Sequence, residues 1–215
     1  MCSRVTLPTE PPEPPVLCDD ELAGAATVRI ARGTDAPWDL VLLDRDGTLN
    51  VRRDGYVERP DQLQLLPGVA AALARVNAAG VRVVVVTNQQ GVGKGVMTTA
   101  ALVSVHRRLL ELLAPAHIDG FAVCPHLAGT CSCRKPAIGL FERVLARAPW
   151  ADPRRCVMIG DSDTDLVPAL ELGMAVAKVG GTSSDARVYP QIAHLDTVTG
   201  TQGFDEQFVA TRLGV

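Results

Sequence analysis

The chain has 215 residues, which suits one domain of ordinary size with a substantial core and requires no second domain. Its 21 Lys and Arg residues against 24 Asp and Glu residues leave a net charge of −3. The basic residues form no long run of the kind expected in a nucleic-acid-binding protein. The apolar runs are far shorter than the roughly 18 residues of a membrane span, and residues 1–15 lack the apolar core of a secretory signal. We therefore expect a cytoplasmic protein without nucleic-acid or membrane partners, and a monomer.

The first 36 residues are predicted to form a proline-rich N-terminal extension, followed by a main domain at 37–215. Residues 11–15 read Pro-Pro-Glu-Pro-Pro, a composition typical of extended or mobile chain. The mildly apolar stretch 22–30 could lie on the surface of the domain, and its sequence indicates no function.

Short apolar runs alternate with helical patterns along the main domain. Strands are predicted at 39–44, 81–86, 120–123, 156–159 and 174–179, and helices at 68–79, from Thr98 or Thr99 to 113, at 138–147 and at 163–172. This alternation predicts an α/β fold with a doubly wound parallel sheet. Ligands of such sheets bind beyond the carboxyl ends of the strands.

The first predicted strand ends in two acidic residues, Asp44 and Asp46, followed by Gly47. Residues i and i+2 of an extended chain point to the same side, so the two carboxylates would face a common space. Carboxylates this close repel each other unless a cation lies between them. The pair alone would also fit helix capping. The later motifs favour instead a site that binds a hard divalent metal.

Polar residues follow the other predicted strands as well. Thr87 could donate to phosphate oxygens together with the backbone amides of the Gly-rich turn after it. Lys135 could hold a phosphate by its charge. Asp161 could join Asp44 around a Mg²⁺ ion, which prefers a few carboxylates plus water and substrate oxygens. The combination predicts a phosphoryl-transfer site.

Each of these residues also has a common structural explanation. Asp161 or Asp165 could be a helix N-cap, and Lys135 a solvated surface side chain. Taken together, the residues favour Asp44 as a nucleophile that forms an aspartyl phosphate. Asp46 would then protonate the leaving alkoxide and afterwards activate the attacking water.

Six cysteines occur, at positions 2, 18, 124, 131, 133 and 156. Their clustering favours a metal over disulfides in a reducing compartment. A closed tetrahedral Zn²⁺ site is predicted from Cys124, His126, Cys131 and Cys133. A core position is the alternative for His126, and its polar loop argues against that. The zinc would be structural and would hold residues 134–135 at the active site. Cys156, in an apolar run, is expected to be inert core.

These motifs resemble those of the haloacid dehalogenase superfamily of phosphatases. The four motifs are matched by residues 44–50, 87–89, Lys135 and 160–165. The branch that removes the 7-phosphate of D-glycero-D-manno-heptose 1,7-bisphosphate, together with its sister histidinol-phosphate phosphatases, is similar over further segments, namely 54–57, 87–92 and the cysteine loop through Pro136. The resemblance covers about residues 38–180. Ser162 stands where some heptose enzymes have Lys.

The resemblance implies that Asp44 and Asp161 bind Mg²⁺ through their side chains and Asp46 through its backbone carbonyl. It also implies that residues 134–135 and the 52–56 loop contact substrate. The complete set of predicted substrate-binding residues is Arg52, Arg53, Asp54, Gly55, Tyr56, Thr87, Asn88, Gln89, Gln90, Arg134 and Lys135. No separate cap domain is expected, because the intervals between the motifs are short, so loops would wall a site for a small phosphosugar.

The predicted function is therefore Mg²⁺-dependent hydrolysis of a phosphomonoester, with heptose 1,7-bisphosphate as the expected substrate. Histidinol phosphate is the alternative substrate. A binding module with a degenerate phosphatase fold is a further alternative, and the presence of Asp44, Asp46 and Lys135 argues against it. A nucleic-acid 3′-phosphatase would share the Thr-Asn-Gln turn, but the acidic balance argues against that activity.

Overall fold

A five-stranded parallel sheet forms the centre of the molecule. The computed structural model describes residues 30–33, 36–180 and 203–215. The strands are β1 (Leu40–Leu43), β2 (Arg82–Asn88), β3 (Gly120–Cys124), β4 (Cys156–Gly160) and β5 (Ala175–Lys178). They lie in the order β3-β2-β1-β4-β5, with every neighbouring pair parallel. The predicted parallel sheet is confirmed, and each predicted strand is present within a few residues.

Helices connect these strands as the sequence predicts. They are α1 (Val69–Ala78), α2 (Thr99–Leu113), α3 (Gly139–Arg147) and α4 (Asp163–Glu171), with a short α5 (Glu206–Phe208) that continues into a π-helical turn at Val209–Leu213. Single 3₁₀ turns occur at Pro60–Gln62 and Pro153–Arg155. Thr98 caps α2, because its Oγ1 accepts a hydrogen bond from the Ala101 amide at 3.1 Å.

The central strands are buried on both faces. Val83, Val84, Val85 and Val86 are all fully buried, so successive side chains contact core on opposite sides of the sheet. In register, Leu43 of β1 lies beside Val85 of β2 and Ile159 of β4. The carboxyl ends of the three strands therefore lie at one edge of the sheet, with β2 continuing to Asn88 beyond the end of β1, and the residues that follow the strands meet there.

The end of the N-terminal segment packs on the domain. Ile30 is buried, its amide donates to the Arg147 carbonyl at 3.0 Å, and Trp150 Nε1 donates to the Ile30 carbonyl at 2.7 Å. The proline-rich stretch and the first two cysteines lie outside the described residues. The division of the chain at residue 36 stays a prediction.

The segments between the strands are short. Between β1 and β2 the chain forms one 3₁₀ turn and α1, and between β2 and β3 it forms α2. The expectation that no separate cap domain covers the site stays a prediction. Within the described ranges, no helix is long and apolar enough to cross a membrane.

The C-terminal segment 203–215 packs against α1, an arrangement that no pattern in the sequence had indicated. Phe204 and Phe208 are fully buried and meet edge to face with ring centroids 5.9 Å apart. Asp205 begins α5, because its Oδ1 accepts from the Phe208 amide at 2.8 Å. Trp38 Nε1 donates to the Leu213 carbonyl at 2.9 Å, which joins this segment to the chain just before β1.

Phe208→Ala tests the contribution of this segment to stability. Because Phe208 is fully buried, we expect the substitution to lower the free energy of unfolding by about 3–5 kcal/mol. Gln207→Ala, at an exposed position of the same short helix, should change it by less than about 0.5 kcal/mol. Urea denaturation of both variants measures the difference, and equal midpoints would show that the segment does not stabilise the domain.

Candidate active site

A polar cavity of about 260 Å³ opens at the carboxyl edge of the sheet. Its walls include nine of the eleven predicted substrate-binding residues, namely Arg52, Arg53, Gly55, Tyr56, Thr87, Asn88, Gln89, Arg134 and Lys135, together with Asp44 and Asp46. The other two, Asp54 and Gln90, do not line it. Residues that sequence reasoning did not assign to substrate also line the cavity, namely Arg45, Val57, Ser162, Thr164 and Asp165.

Lys135 lies at the floor of this site with only 3% of its surface exposed. Its Nζ pairs with Asp44 Oδ1 at 2.9 Å and Asp165 Oδ1 at 2.6 Å, and it donates to the Val86 carbonyl at 2.6 Å. Burial alone would lower the pKa of Lys135, but the charges of Asp165 and Asp44 outweigh burial and raise it. The alternative of a solvated surface lysine is therefore wrong.

Asn88 fixes the loop that carries this lysine. Its side-chain Nδ2 donates to the Lys135 carbonyl at 3.0 Å, and its Oδ1 accepts from the Lys135 amide at 3.1 Å. The paired bonds attach the loop after β3 to the end of β2. Asn88, which was predicted to bind substrate, thus positions the backbone of Lys135.

Three carboxylates meet beside Lys135. Asp44, Asp161 and Asp165 each place a carboxylate oxygen within 4.8 Å of the others. Burial, and then the negative charge of Asp165, raises the pKa of Asp44 to about 6, although Lys135 opposes this. Burial, and then the charge of Asp44, raises the pKa of Asp161 to about 6. The cluster therefore has more negative charge than one lysine neutralises, and this favours a bound cation.

Arg52 contacts two further oxygens at this edge of the sheet. Its Nη2 donates to Asp161 Oδ1 at 2.6 Å and to the backbone carbonyl of Asp46 at 3.2 Å. These two oxygens are the ones that the resemblance implied as Mg²⁺ ligands beside Asp44. Since carboxylate and carbonyl oxygens are what Mg²⁺ prefers in proteins, the residues present fit that ion.

The carboxylate of Asp46 points away from the acidic cluster. It accepts from Arg45 Nη2 at 3.0 and 2.8 Å, from Asn50 Nδ2 at 2.9 Å and from Gln89 Nε2 at 2.9 Å. Burial would raise the pKa of Asp46, but Arg45 and the donated hydrogen bonds outweigh burial and lower it. Gln89 Nε2 also donates to Thr87 Oγ1 at 2.9 Å, so the Thr87 hydroxyl keeps its own hydrogen to donate into the cavity.

Asp165 has a function that its capping pattern did not reveal. Ser162, not Asp161, is the N-cap of α4, and Asp165 Oδ2 accepts from the Ser162 amide at 3.1 Å in a capping box. The N-cap alternative is therefore wrong for both Asp161 and Asp165, and the capping box accounts for only one oxygen of Asp165. The other oxygen pairs with Lys135. The Ser-x-x-Asp spacing indicates only the first contact, because the second depends on tertiary structure.

The cysteine loop brings its four predicted ligands together. The four atoms are the Sγ atoms of Cys124, Cys131 and Cys133 and Nδ1 of His126. All lie within 4.8 Å of one another, and four of the separations between them run from 3.2 to 3.6 Å. Zn–S bonds of about 2.3 Å at tetrahedral angles separate two sulfurs by roughly 3.8 Å, close to these distances. The donors therefore fit a closed four-coordinate metal site, and the core alternative for His126 is not needed. Cys156 is buried away from this cluster, and its Sγ donates to the Asp152 carbonyl.

Besides Arg45, three arginines are among the residues that line the cavity. They are Arg52, Arg53 and Arg134, and Arg134 Nη1 is buried without a hydrogen-bond partner among the described residues. The Tyr56 ring lies 5.6 Å from Lys94 Nζ, a cation–π distance that joins the first loop to the Gly-rich turn after β2. An acidic protein thus has the local cluster of cations that an anionic substrate requires.

Comparison with known proteins agrees with this geometry. Residues 132–199 match the model of the HAD-hydrolase-like family. The chain is 42% identical over 164 residues, 72% of this chain and 86% of the relative, to the D-glycero-alpha-D-manno-heptose-1,7-bisphosphate 7-phosphatase of Mycobacterium tuberculosis. The chain belongs to the haloacid dehalogenase (HAD)-like hydrolases. It is a phosphatase, an enzyme that hydrolyses phosphate esters.

Two further relatives lie in the same branch of HAD phosphatases. The D-glycero-beta-D-manno-heptose-1,7-bisphosphate 7-phosphatase of Bordetella bronchiseptica is 38% identical over 139 residues, 63% of this chain and 77% of that protein. A crystal structure of the D,D-heptose 1,7-bisphosphate phosphatase from B. bronchiseptica, complexed with magnesium and phosphate, matches with a TM-score of 0.68 at 34% identity. It covers 81% of this chain and 97% of the other. The predicted superfamily and branch are confirmed.

Gly47→Ala tests the position of Asp161 in this HAD phosphatase. Gly47 has a φ of +94°, and a Cβ there would overlap Asp161 Oδ2. Gly173→Ala is the matched control, because Gly173 also has a positive φ (+78°) but its Cβ would meet nothing. Both variants should lose about 1–2 kcal/mol of stability to backbone strain, and we expect only Gly47→Ala to lose most of its kcat. Thermal unfolding and steady-state rates on one phosphate ester decide this, and equal rates in the two variants would contradict it.

Proposed function

We propose that this phosphatase removes the 7-phosphate of D-glycero-D-manno-heptose 1,7-bisphosphate. The observation that supports this substrate is the 42% identity to the M. tuberculosis enzyme over 86% of that enzyme's length. Among the relatives named above, both anomers occur, alpha in the M. tuberculosis enzyme and beta in one of the B. bronchiseptica enzymes. We further propose that the enzyme works as a cytoplasmic monomer without a nucleic-acid partner.

In the first half of the proposed reaction, Asp44 is the nucleophile. Lys135 pairs with Asp44 Oδ1, which leaves Oδ2 for attack on phosphorus. As the Asp44–phosphorus bond forms, the bond from phosphorus to the sugar oxygen breaks, and Asp46 gives a proton to the leaving oxygen. Lys135 and the Thr87 hydroxyl bind the phosphoryl oxygens, whose charge they offset.

In the second half, water attacks the phosphorus of the Asp44 phosphate. Asp46 takes a proton from that water, and the bond between Asp44 and phosphorus breaks to release inorganic phosphate. Both halves require the Asp46 carboxylate at a fixed place, and the four hydrogen bonds that it accepts support this requirement.

Magnesium is the proposed cofactor, held by the carboxylates of Asp44 and Asp161 and by the carbonyl of Asp46. When bound, it would offset the charge of the phosphoryl group and of the attacking carboxylate. The convergence of Arg52 on the last two of these oxygens supports the ligand set. The acidic cluster supports it as well.

The charge of the cavity wall distinguishes the two candidate substrates. A heptose bisphosphate has a second phosphate at the far end of the sugar, where Arg53 and Arg134 could bind it. Histidinol phosphate instead has an ammonium and an imidazole at its far end, which the same arginines would repel. The wall therefore favours the bisphosphate. Asp54 and Gln90, which do not line the cavity, remain predicted substrate contacts of the flanking loops.

Zinc is the proposed metal of the cysteine loop, with a structural function. Three thiolates and one imidazole occupy all four positions of a tetrahedral site, so substrate has no open position to bind. Cys133 precedes Arg134 and Lys135 directly. The metal would thus order the loop from which both cations reach the phosphate, and this ordering need not be repeated on substrate binding.

A panel of phosphate esters tests the proposed substrate, with Asp44→Asn as the control for the proposed nucleophile. We expect the highest kcat/KM for heptose 1,7-bisphosphate, with release of the 7-phosphate, and a much lower value for histidinol phosphate. Asp44→Asn should abolish turnover of every ester, because an amide is a far poorer nucleophile. A preference for histidinol phosphate would reject the substrate, whereas a substantial rate in pure Asp44→Asn protein would reject the covalent step.

Cys131→Ser tests the proposed zinc, with Cys156→Ser as its control outside the cluster. Elemental analysis of the Mg²⁺-free wild type and of the control should find one zinc per chain. We expect Cys131→Ser to bind zinc weakly, to raise KM and to lower kcat while the sheet stays folded. In cobalt-substituted protein, a four-coordinate spectrum that phosphate leaves unchanged supports a structural metal. A spectrum that shifts when phosphate binds would overturn it.

A further inference from the structure

Arg45, between the two aspartates of the first motif, is fully buried. Asp44 and Asp46 both line the cavity, and Arg45 Nη2 donates to both oxygens of the Asp46 carboxylate. Arg45 Nη1 lies 3.3 Å from Nε2 of His106, a residue 61 positions away on α2. One guanidinium thus joins the proposed acid–base residue to a buried imidazole.

His106 is held as a neutral acceptor for this guanidinium. Only 6% of its surface is exposed, and its ring stacks on Phe121 of β3 with centroids 4.4 Å apart and planes 13° from parallel. Burial, and then the positive charge of Arg45, lowers the pKa of His106 to about 3. Because the ring is neutral at ordinary pH, its Nε2 can accept the hydrogen bond that Arg45 Nη1 donates.

Packing does not explain an arginine at this position. Taking a charged group out of water costs several kcal/mol, and an apolar side chain of similar volume often stabilises such a place equally well. Arg45 Nε is also buried without a hydrogen-bond partner among the described residues. The contacts of Arg45 with Asp46 and His106 therefore have a role other than stabilising the fold.

The hydrogen bonds of Arg45 to His106 and to Asp46 restrict the orientation of its guanidinium. The bond to His106 fixes one end of the planar guanidinium, and this sets where Nη2 faces Asp46. Without an acceptor at position 106, the guanidinium could turn, and Asp46 would keep only Asn50 and Gln89 as fixed donors. A misplacement of about 1 Å in a proton-transferring group can cost on the order of 100-fold in rate.

We propose that His106 is a positioning residue for the phosphatase reaction, acting through Arg45 to hold the Asp46 carboxylate where it gives and takes protons. The inference rests on the proposed function of Asp46. It adds a residue from α2, a helix that supplies no lining residue of the cavity.

Two substitutions distinguish the hydrogen-bond acceptor of His106 from the stacking of its ring. His106→Phe keeps a ring to stack on Phe121 and removes the acceptor, whereas His106→Gln removes the ring and keeps an amide oxygen that can accept from Arg45. We expect His106→Phe to lower kcat/KM for heptose bisphosphate by roughly 10- to 100-fold, part of the usual contribution of acid–base catalysis. His106→Gln should retain most of the activity. The reverse ranking would show that His106 only packs, and would overturn the proposal.

Comparing substrates with different leaving groups provides a readout that a general loss of packing would not change. p-Nitrophenolate departs without a proton, so kcat/KM for p-nitrophenyl phosphate should fall much less in His106→Phe than kcat/KM for an alkyl phosphate. Asp46→Asn should show the same division between the two substrates. Equal losses on both substrates would reject positioning of the proton donor. Val105→Ala, a buried neighbour on α2, controls for general loss of packing and should show no such division.

Arg45→Met is the second variant, which removes the link itself and decides the matter if His106→Phe does not fold. It should show the same selective loss on alkyl esters, and an equal loss on both esters would overturn the proposal. The assay also distinguishes this inference from the proposed function. If the wild type does not hydrolyse heptose bisphosphate, the substrate is wrong, but any alkyl phosphate that it does hydrolyse still reports on the link from His106 to Asp46.

Discussion

The ion pairs of the buried Lys135 with Asp44 and Asp165 are the interaction on which the site depends. Three carboxylates meet within 4.8 Å of one another at the carboxyl edge of the sheet. Two like charges about 4 Å apart repel by roughly 4 kcal/mol at the effective dielectric constant of a protein surface. Lys135 offsets part of this repulsion, and the pKa of Asp44 is nevertheless raised to about 6. The excess negative charge favours a divalent cation, and an anionic phosphate would be attracted by that cation together with Lys135.

The loop that carries Lys135 is fixed from two sides. Asn88 binds its backbone to the end of β2 through a pair of hydrogen bonds. On the other side, the cysteine and histidine donors gather immediately before Arg134. A flexible lysine would lose side-chain and backbone entropy each time it bound substrate, and both constraints remove that cost in advance. The cysteine loop and Asn88 therefore both determine where Lys135 lies in the active site.

The chain leaves the extended conformation after β1, so the carboxylates of Asp44 and Asp46 do not face one common space as the spacing of an extended chain predicted. Asp44 faces the acidic cluster and Lys135, whereas the Asp46 carboxylate is bound by Arg45, Asn50 and Gln89 and contributes only its backbone oxygen beside Asp161. Two aspartates one residue apart thus have different surroundings, and the pKa of one is raised while that of the other is lowered. A cation bound beside Asp44 would lower the pKa of that carboxyl group again and leave it ionised.

The sequence by itself determined the order of strands and helices, the polar strand ends and the cysteine loop, because periodicity and ligand spacing act within a few residues. From the parallel sheet it followed that Asp44, Thr87 and Asp161 would meet at one edge. Only the tertiary structure decided which side chains touch there, since contacts such as Lys135 with Asp44, 91 residues apart, depend on register and packing. The link from Arg45 to His106 and the packing of the C-terminal segment on α1 are of this kind. No local pattern specifies them, because each partner alone has an ordinary sequence context and only the folded core brings the two together.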